Sequence, residues 1–512
     1  MKLGRSHHER RWGGGRYPLR RSRNLCITLS ALLVLALSPA SGAVNAQSLD
    51  SLIERLDRLE QENRQLRREI DELKAERTAD QEEGTRSAGE ASRAGPDGYV
   101  RVDPDYGYAT LDSTTHINRK QRLILDRRRQ GTLAPDSVHL QGAVTAVASF
   151  QTSNRTDKFG YLMRHPTASN QVGDEVSEAT IHSAQLGFTA MLGDWVTGHA
   201  VMLFDPEQSF GEGTNTDLER NQVQVRRAYV MIGNLDRSPF FTSLGKLAVP
   251  FGLTDTVNPF TASTVWHAFG GLANGATVGY AGEGLALTAM AIQGGSQFRA
   301  ANTPVEGTNV PSRVNNFALD ANYTLPLSRD GELLLGGSYL QGSAYCQDFP
   351  VAHFMPCRDN NPAVDVYAKL VLADFTLKGE FAETIDVWPG TFNPGIPEFA
   401  ASEVTSFDIG AKYRMVSGSG PIDLSAEFSR FEAGPDGAPW ERQDQLVVGA
   451  AWFVLPSIKL FAEFIRVDGF APLNFISGGS IRDHEGNVIP DRTISDASAH
   501  SNVFLVGINA AF

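Results

Sequence analysis

The chain is poor in cysteine, with three among 512 residues, and it lacks long apolar runs. The one apolar stretch, Leu25–Leu37, is too short for a spanning helix, which needs about 20 residues. Eleven scattered histidines and so few cysteines give no tetrahedral ligand set, so neither a metal nor a cofactor is expected. Positive charge is in deficit, 46 Lys and Arg against 59 Asp and Glu, which argues against nucleic acid as a partner. His182 and His199 fall on separate segments with no Ser and carboxylate placed beside them, so no catalytic residues are expected.

What is present begins with an export signal. Arg16, Arg20, Arg21 and Arg23 precede Leu25–Leu37, and small residues follow up to Val44-Asn45-Ala46. A basic region, an apolar region and an A-x-A-like site read as a signal peptide over 1–46, cleaved after Ala46. Its loss removes an excess of +7 and leaves a mature chain near −20. Cys26 leaves with it. Cys346 and Cys357, close together in a chain bound for an oxidising compartment, are expected to form a disulfide across a loop.

Residues 47–77 carry apolar residues in 3-4 spacing. Leu49, Leu56, Asn63 and Ile70 take position a, and Leu52, Leu59, Leu66 and Leu73 take position d. Arg55 with Glu60, Glu62 with Arg67 and Glu69 with Lys74 are attractive in the g-to-e′ relation, which selects a parallel α-helical coiled coil. Asn63 favours two strands, whereas Ile53 at e and the order Arg55-Leu56-x-x-Leu59-Glu60 favour three. A homotrimer with a periplasmic N-terminus is the expectation. Residues 78–135 read as a linker; Arg119–Arg122 and Arg127–Arg129 leave room for a short helix near the barrel mouth.

From Ser137 the period changes to two. Leu140, Gly142, Val144, Ala146, Ala148 and Phe150 share one face, and His139, Gln141, Thr145, Ser149 and Gln151 the other. Apolar-out, polar-in segments of about ten residues match transmembrane strands. Sixteen such segments start near Val138, Ala179, Trp195, Gln222, Phe241, Ala276, Leu285, Phe317, Leu333, Ala363, Phe375, Val404, Ile422, Gln443, Ile458 and Ser501. Their connections alternate between short turns and long loops. Backbone groups in lipid are satisfied only by closure. The fold expected over 136–512 is therefore an all-β membrane protein, a 16-stranded antiparallel transmembrane β-barrel. The terminal strand, with Phe504, Val506, Ile508, Ala510 and Phe512 on one face, resembles the C-terminal signal for outer-membrane assembly.

Two segments carry a family likeness. Arg226-Arg227-Ala228-Tyr229-Val230, and Gly245-Lys246-Leu247-Ala248-Val249-Pro250-Phe251-Gly252, resemble the phosphate-selective porin O/P superfamily. With the coiled-coil head and Leu253-Thr254-Asp255-Thr256, the chain is more similar to its LbtU-type siderophore porins and DcaP-like porins. The resemblance implies an outer-membrane porin of a Gram-negative bacterium, in contact with lipid and lipopolysaccharide, passing small hydrophilic solutes by passive diffusion. A TonB-independent siderophore-uptake porin is one alternative, and an outer-membrane barrel enzyme the other.

Strand parity points Arg226, Lys246, Lys369, Lys378, Lys412, Arg414 and Lys459 inward. It also points Asp365, Glu380, Asp408, Asp423, Glu427 and Glu463 inward. The signs are nearly balanced, which departs from the cationic ladders of phosphate-selective members. The loop over 250–275 is expected to fold inward. Arg226, Lys246, Asp255, Lys412, Arg414 and Glu427 are the expected pore-lining and constriction residues.

Overall fold

The computed structural model describes residues 99–155, 158–159, 173–204, 223–293, 314–345, 360–471 and 495–512. The signal, the heptads and Cys346 with Cys357 lie outside them. A short strand β1 (Val100–Val102) and two helices, α1 (Pro104–Leu111) and α2 (Lys120–Arg129), precede the barrel. The barrel's first half is β2 (Ser137–Ser153), β3 (Glu175–Leu192), β4 (Val196–Phe204), β5 (Val223–Gly233), β6 (Phe240–Ala248), β7 (Leu272–Gly282), β8 (Leu285–Gln293) and β9 (Val314–Ser328). Its second half is β10 (Gly331–Leu340), β11 (Ala363–Leu372), β12 (Phe375–Thr384), β13 (Thr405–Ser417), β14 (Gly420–Glu432), β15 (Arg442–Leu455), β16 (Ile458–Phe470) and β17 (Asp496–Ala511). A helix α3 (Thr264–Phe269) lies between β6 and β7.

Each strand from β2 to β17 pairs antiparallel with its neighbour, and β17 closes on β2 from Ser501–Ser153 to Ala511–Ala143. The result is a closed 16-stranded antiparallel barrel. Phe512 seals the seam by exchanging both backbone hydrogen bonds with Gly142, at 2.8 and 2.9 Å. Short turns at 193–195, 234–239, 283–284, 329–330, 373–374, 418–419 and 456–457 mark one end, and longer connections the other. The strands expected at Ala179, Ala276 and Ser501 begin earlier, at Glu175, Leu272 and Asp496. Their first residues break the apolar alternation but still pair, because a ladder needs only backbone groups.

The exterior is apolar. Phe504, Val506 and Ile508 of β17 are exposed, as are Val230 and Ile232 of β5 and Leu424 of β14. Aromatic side chains gather at the short-turn end, where Phe375 meets Tyr413 at 4.6 Å and Phe240 meets Tyr280 at 5.3 Å between ring centroids. Outer-membrane barrels carry such girdles where the apolar band ends.

The interior departs from a simple polar lining. Met191, Tyr229, Met231, Phe241 and Leu247 face inward and are buried with Tyr106 of α1 and Ile124 and Leu125 of α2 in one apolar cluster. Inside a barrel, polar residues are required only where the lumen holds water. Here protein fills it.

Candidate functional site

The loop 249–271 leaves β6 and returns to β7, yet its residues bond to strands on the far side of the ring. Gly252 N donates to Ser338 Oγ of β10 at 2.9 Å, and Thr254 N to the Glu380 carboxylate of β12 at 2.9 Å. Val257 N donates to Glu427 of β14 at 3.1 Å, and Phe260 N to Glu463 of β16 at 2.7 Å. In a ring of sixteen, β14 stands opposite β6, so the loop has crossed the lumen. The spacing follows from geometry: about three extended residues span ~10 Å, matching two strand separations of about 4.8 Å each. Every second strand can therefore present one acceptor to every third or so loop amide.

Cations complete the clamp. Lys378 Nζ lies 2.9 Å from Asp408 and 3.6 Å from Glu427, and it donates to the Asp255 carbonyl. Lys459 Nζ donates to the Pro259 carbonyl at 2.7 Å. Glu427 faces inward but lies beneath the loop, accepting also from Thr256 Oγ1 and Asn258 Nδ2. The expectation that it lines the pore is corrected: a carboxylate opposite a backbone donor is more stable bonded to it than facing water across it.

Gly252 makes the inward bend, with φ +71°. A Cβ there would lie 2.3 Å from Glu380 Oε1 and 3.0 Å from Asp365 Oδ2. Gly252→Ala is expected to loosen the loop by about 1–2 kcal/mol from the left-handed conformation alone, before the displaced carboxylates are counted. Protease should cut faster within 249–271 than in the parent; parental resistance would refute this.

Residues 99–135, read as a linker, instead carry α1 and α2 into the lumen from the short-turn end. Tyr106 Oη bonds Thr189 Oγ1 at 2.8 Å, and Gln121 Nε2 donates to Thr277 Oγ1 at 3.1 Å. Arg128 donates to the carbonyls of Gly193 and Gly233, both at 3.2 Å. The segment between the helices meets the loop. Thr256 N donates to the Thr114 carbonyl at 2.9 Å, Asn118 Nδ2 to the Phe251 carbonyl at 2.6 Å and Ile117 N to Asp255 Oδ1 at 3.2 Å.

Asp255 is the hub of this junction. It is buried, ion-paired to Arg119 at 2.7 Å and to Lys369 at 3.5 Å. Burial alone would raise its carboxyl, but Arg119, Lys369 and His116 hold it well below the usual carboxylate range. Burial pushes the His116 imidazole down to about 4. A depressed carboxyl contributes stability above its unfolded value of about 3.9, lost only as pH falls through the lower folded value. The Arg119–Asp255 coupling, measured by a double-mutant cycle, should therefore be the same at pH 7.5 and pH 5. A coupling that halves over that interval would refute the assignment.

The remaining expected residues divide. Lys412 and Arg414 face the lumen, both paired to Asp423, Arg414 through two bonds of 2.7 and 2.8 Å. Lys246 pairs with Ala228 and Asn274 in the row of exposed Leu244, so parity alone misplaces it; its side chain still lines the small cavity beside Arg226 and Trp266, with Nζ donating to the Val225 carbonyl at 2.9 Å. Leu247 takes the inward position because the cluster it joins is apolar. Arg226 sits at a register shift between β4 and β5, and the adjacent Arg227 is turned inward as well, donating to the Ile117 carbonyl at 3.4 Å. Alternation alone could not show this, since a bulge places neighbouring side chains on one face. Arg119 and Asp320 were also missed. Asp320 faces inward and accepts from Ser338 and Tyr367.

Two cavities flank the junction. One, near the long-loop end of β4–β7, is lined by Ile117, Asn118, Arg226, Arg227, Lys246 and Trp266 among others. The other, about 490 Å³, opens at the short-turn end between Tyr108, Asp112, Thr256, Lys412, Arg414 and Phe453 among others.

No family model matches this chain. It is similar to the "UPF0422 protein" of Coxiella burnetii, 24% identical over 346 residues, 65% of this chain and 67% of that one. Among solved structures, the anion-selective porin from Comamonas acidovorans shares 13% identity, covering 73% of this chain and 99% of its own, at a TM-score of 0.43. OprB of Pseudomonas putida shares 10%, over 78% and 99%, at a TM-score of 0.45. OmpF of Salmonella typhi shares 13%, over 73% and 97%, at a TM-score of 0.44.

Proposed function

We propose that the protein is an outer-membrane channel for passive diffusion of small hydrophilic solutes, with a preference for anions. The closed barrel with an apolar, aromatic-girdled exterior supports the membrane location. The preference rests on one observation, the unequal burial of the two signs in the lumen. Of the inward cations, Lys378, Lys459 and Arg227 are buried, but Arg119 at 21%, Lys369 at 24%, Lys412 at 25% and Arg414 at 45% exposure stay partly open. The carboxylates do not: Asp255 is at 2%, Asp408 and Glu427 at 0% and Asp423 at 9%. Glu380 and Glu463 are likewise covered by the loop amides they hold. Asp112 and Asp320 keep part of their surface but accept bonds from neighbouring hydroxyls. Inward charges that balance by count therefore leave a passage with positive walls.

The two segments that resemble the O/P superfamily form β5, β6 and the entry of the loop, which supports membership. Heptads in 47–77 support a parallel homotrimer held by the coiled coil, and a monomeric mass in detergent would remove that part. For the channel, the purified protein in planar bilayers should give discrete steps, and a KCl gradient should give a reversal potential of anionic sign. Absence of any conductance would overturn the reading, and lipid hydrolysis in its place would indicate an enzyme.

A further inference from the structure

We infer that residues 103–131 are a second constriction element, a resident hairpin whose contact with the loop 249–271 closes the large cavity of the short-turn end off from the long-loop end. The inference rests on the channel reading above. The hairpin enters at the short-turn end, where Arg128 caps two turn carbonyls. It rises along the β2–β8 wall, burying Tyr106, Ile124 and Leu125 against Met191, Met231 and Phe241. At mid-height its apex reaches the loop.

The two cavities meet this apex from opposite sides. Ile117 and Asn118 line a small cavity of about 40 Å³ toward the long-loop end, together with Trp266 and Gly270 of the loop. Thr114 and Thr115 line the chamber toward the short-turn end, together with Thr256 and Val257. A solute passing from one to the other meets the contact between 114–119 and 251–256. That contact includes the Thr114–Thr256 backbone bond, Ile117 N on Asp255, Asn118 on two loop carbonyls and the Arg119–Asp255 pair. Arg119 thus has two roles. It latches hairpin to loop, and it carries a cation to the narrowest section beside Lys369.

A packed apolar helix face holds the hairpin, whereas a few polar bonds hold its apex. Charges or polar groups introduced at Ile124 and Leu125 should therefore undock α2 without touching a barrel strand. The test uses full-length protein in planar bilayers, carrying either Ile124→Asp with Leu125→Asp or Arg119→Gln. Undocking should raise single-channel conductance at least twofold and expose Arg127–Arg129 to trypsin. Arg119→Gln should raise conductance less and move the reversal potential toward cations. If the undocked variant fails to assemble, Arg119→Gln decides alone. Parental conductance in a trypsin-sensitive undocked variant, or a parental reversal potential in Arg119→Gln, would overturn the inference. A wild-type protein with no conductance would instead sink the channel reading.

Discussion

Lys378→Met is expected to release the loop 249–271 from the β12–β14 wall and to enlarge the channel while leaving the barrel assembled. Lys378 is buried, with Asp408 at 2.9 Å, Glu427 at 3.6 Å and the Asp255 carbonyl also accepting from it. Methionine keeps the length and removes the charge. Two carboxylates then remain in a site closed to water, and breaking a buried pair in this way costs about 3–5 kcal/mol. The barrel ladder does not depend on this lysine, so the cost falls on the loop, which can lift away and let water reach Asp408 and Glu427. Conductance should rise, and protease should cut within 249–271. A triple variant that adds Asp408→Asn and Glu427→Gln should recover much of the loss, because no uncompensated charge remains. If Lys378→Met alone conducts like the parent, the loop is not held by this network.

The second large effect concerns selectivity. Lys412 and Arg414 are the most open cations of the passage, on the wall of the 490 Å³ chamber. Changing both to Glu should invert the sign of the reversal potential in a KCl gradient. An ion about 6 Å from one unit charge, at an effective dielectric constant of about 20–40, feels roughly 1.4–2.8 kcal/mol. Two reversals beside the retained Asp423 are therefore worth more than a tenfold change in permeability ratio at low salt, and less at high salt as screening grows. Lys246→Glu should matter less, since Lys246 lines only the cavity of about 40 Å³ and its ammonium is held by the Val225 carbonyl. An unchanged sign in the Lys412 and Arg414 variant would mean that ions do not pass this wall.

The barrel was legible because a strand in a membrane must alternate, and part of each of the sixteen segments does. The end at which each turn lies followed from turn length. Inward positions on β11 to β16 were also readable, since these strands keep period two apart from irregularities near the ends of β15 and β16. Lys246 and Arg227 were not. A bulge beside Arg226 and an apolar lumen at Leu247 break the two rules by which parity is assigned, that each residue flips the face and that the inner face is polar. Of residues 103–131 only a short helix about Arg119–Arg129 was foreseen, and its docking in the lumen was missed for a related reason. Their few apolar residues make weak helices, and only the concave barrel wall gives Tyr106, Ile124 and Leu125 a surface to bury.

The sequence by itself determined the strand count, the apolar exterior, the connection lengths and which charges of the second half face inward, because these depend on local alternation and length. Only the tertiary structure decided which of those charges a solute would meet. Glu380, Glu427 and Glu463 are as polar in sequence as Lys412 and Arg414, but a loop from the opposite wall covers the carboxylates and leaves the cations open. That covering pairs backbone amides near residue 257 with side chains about 170 residues away in the chain, a separation at which no periodicity carries information.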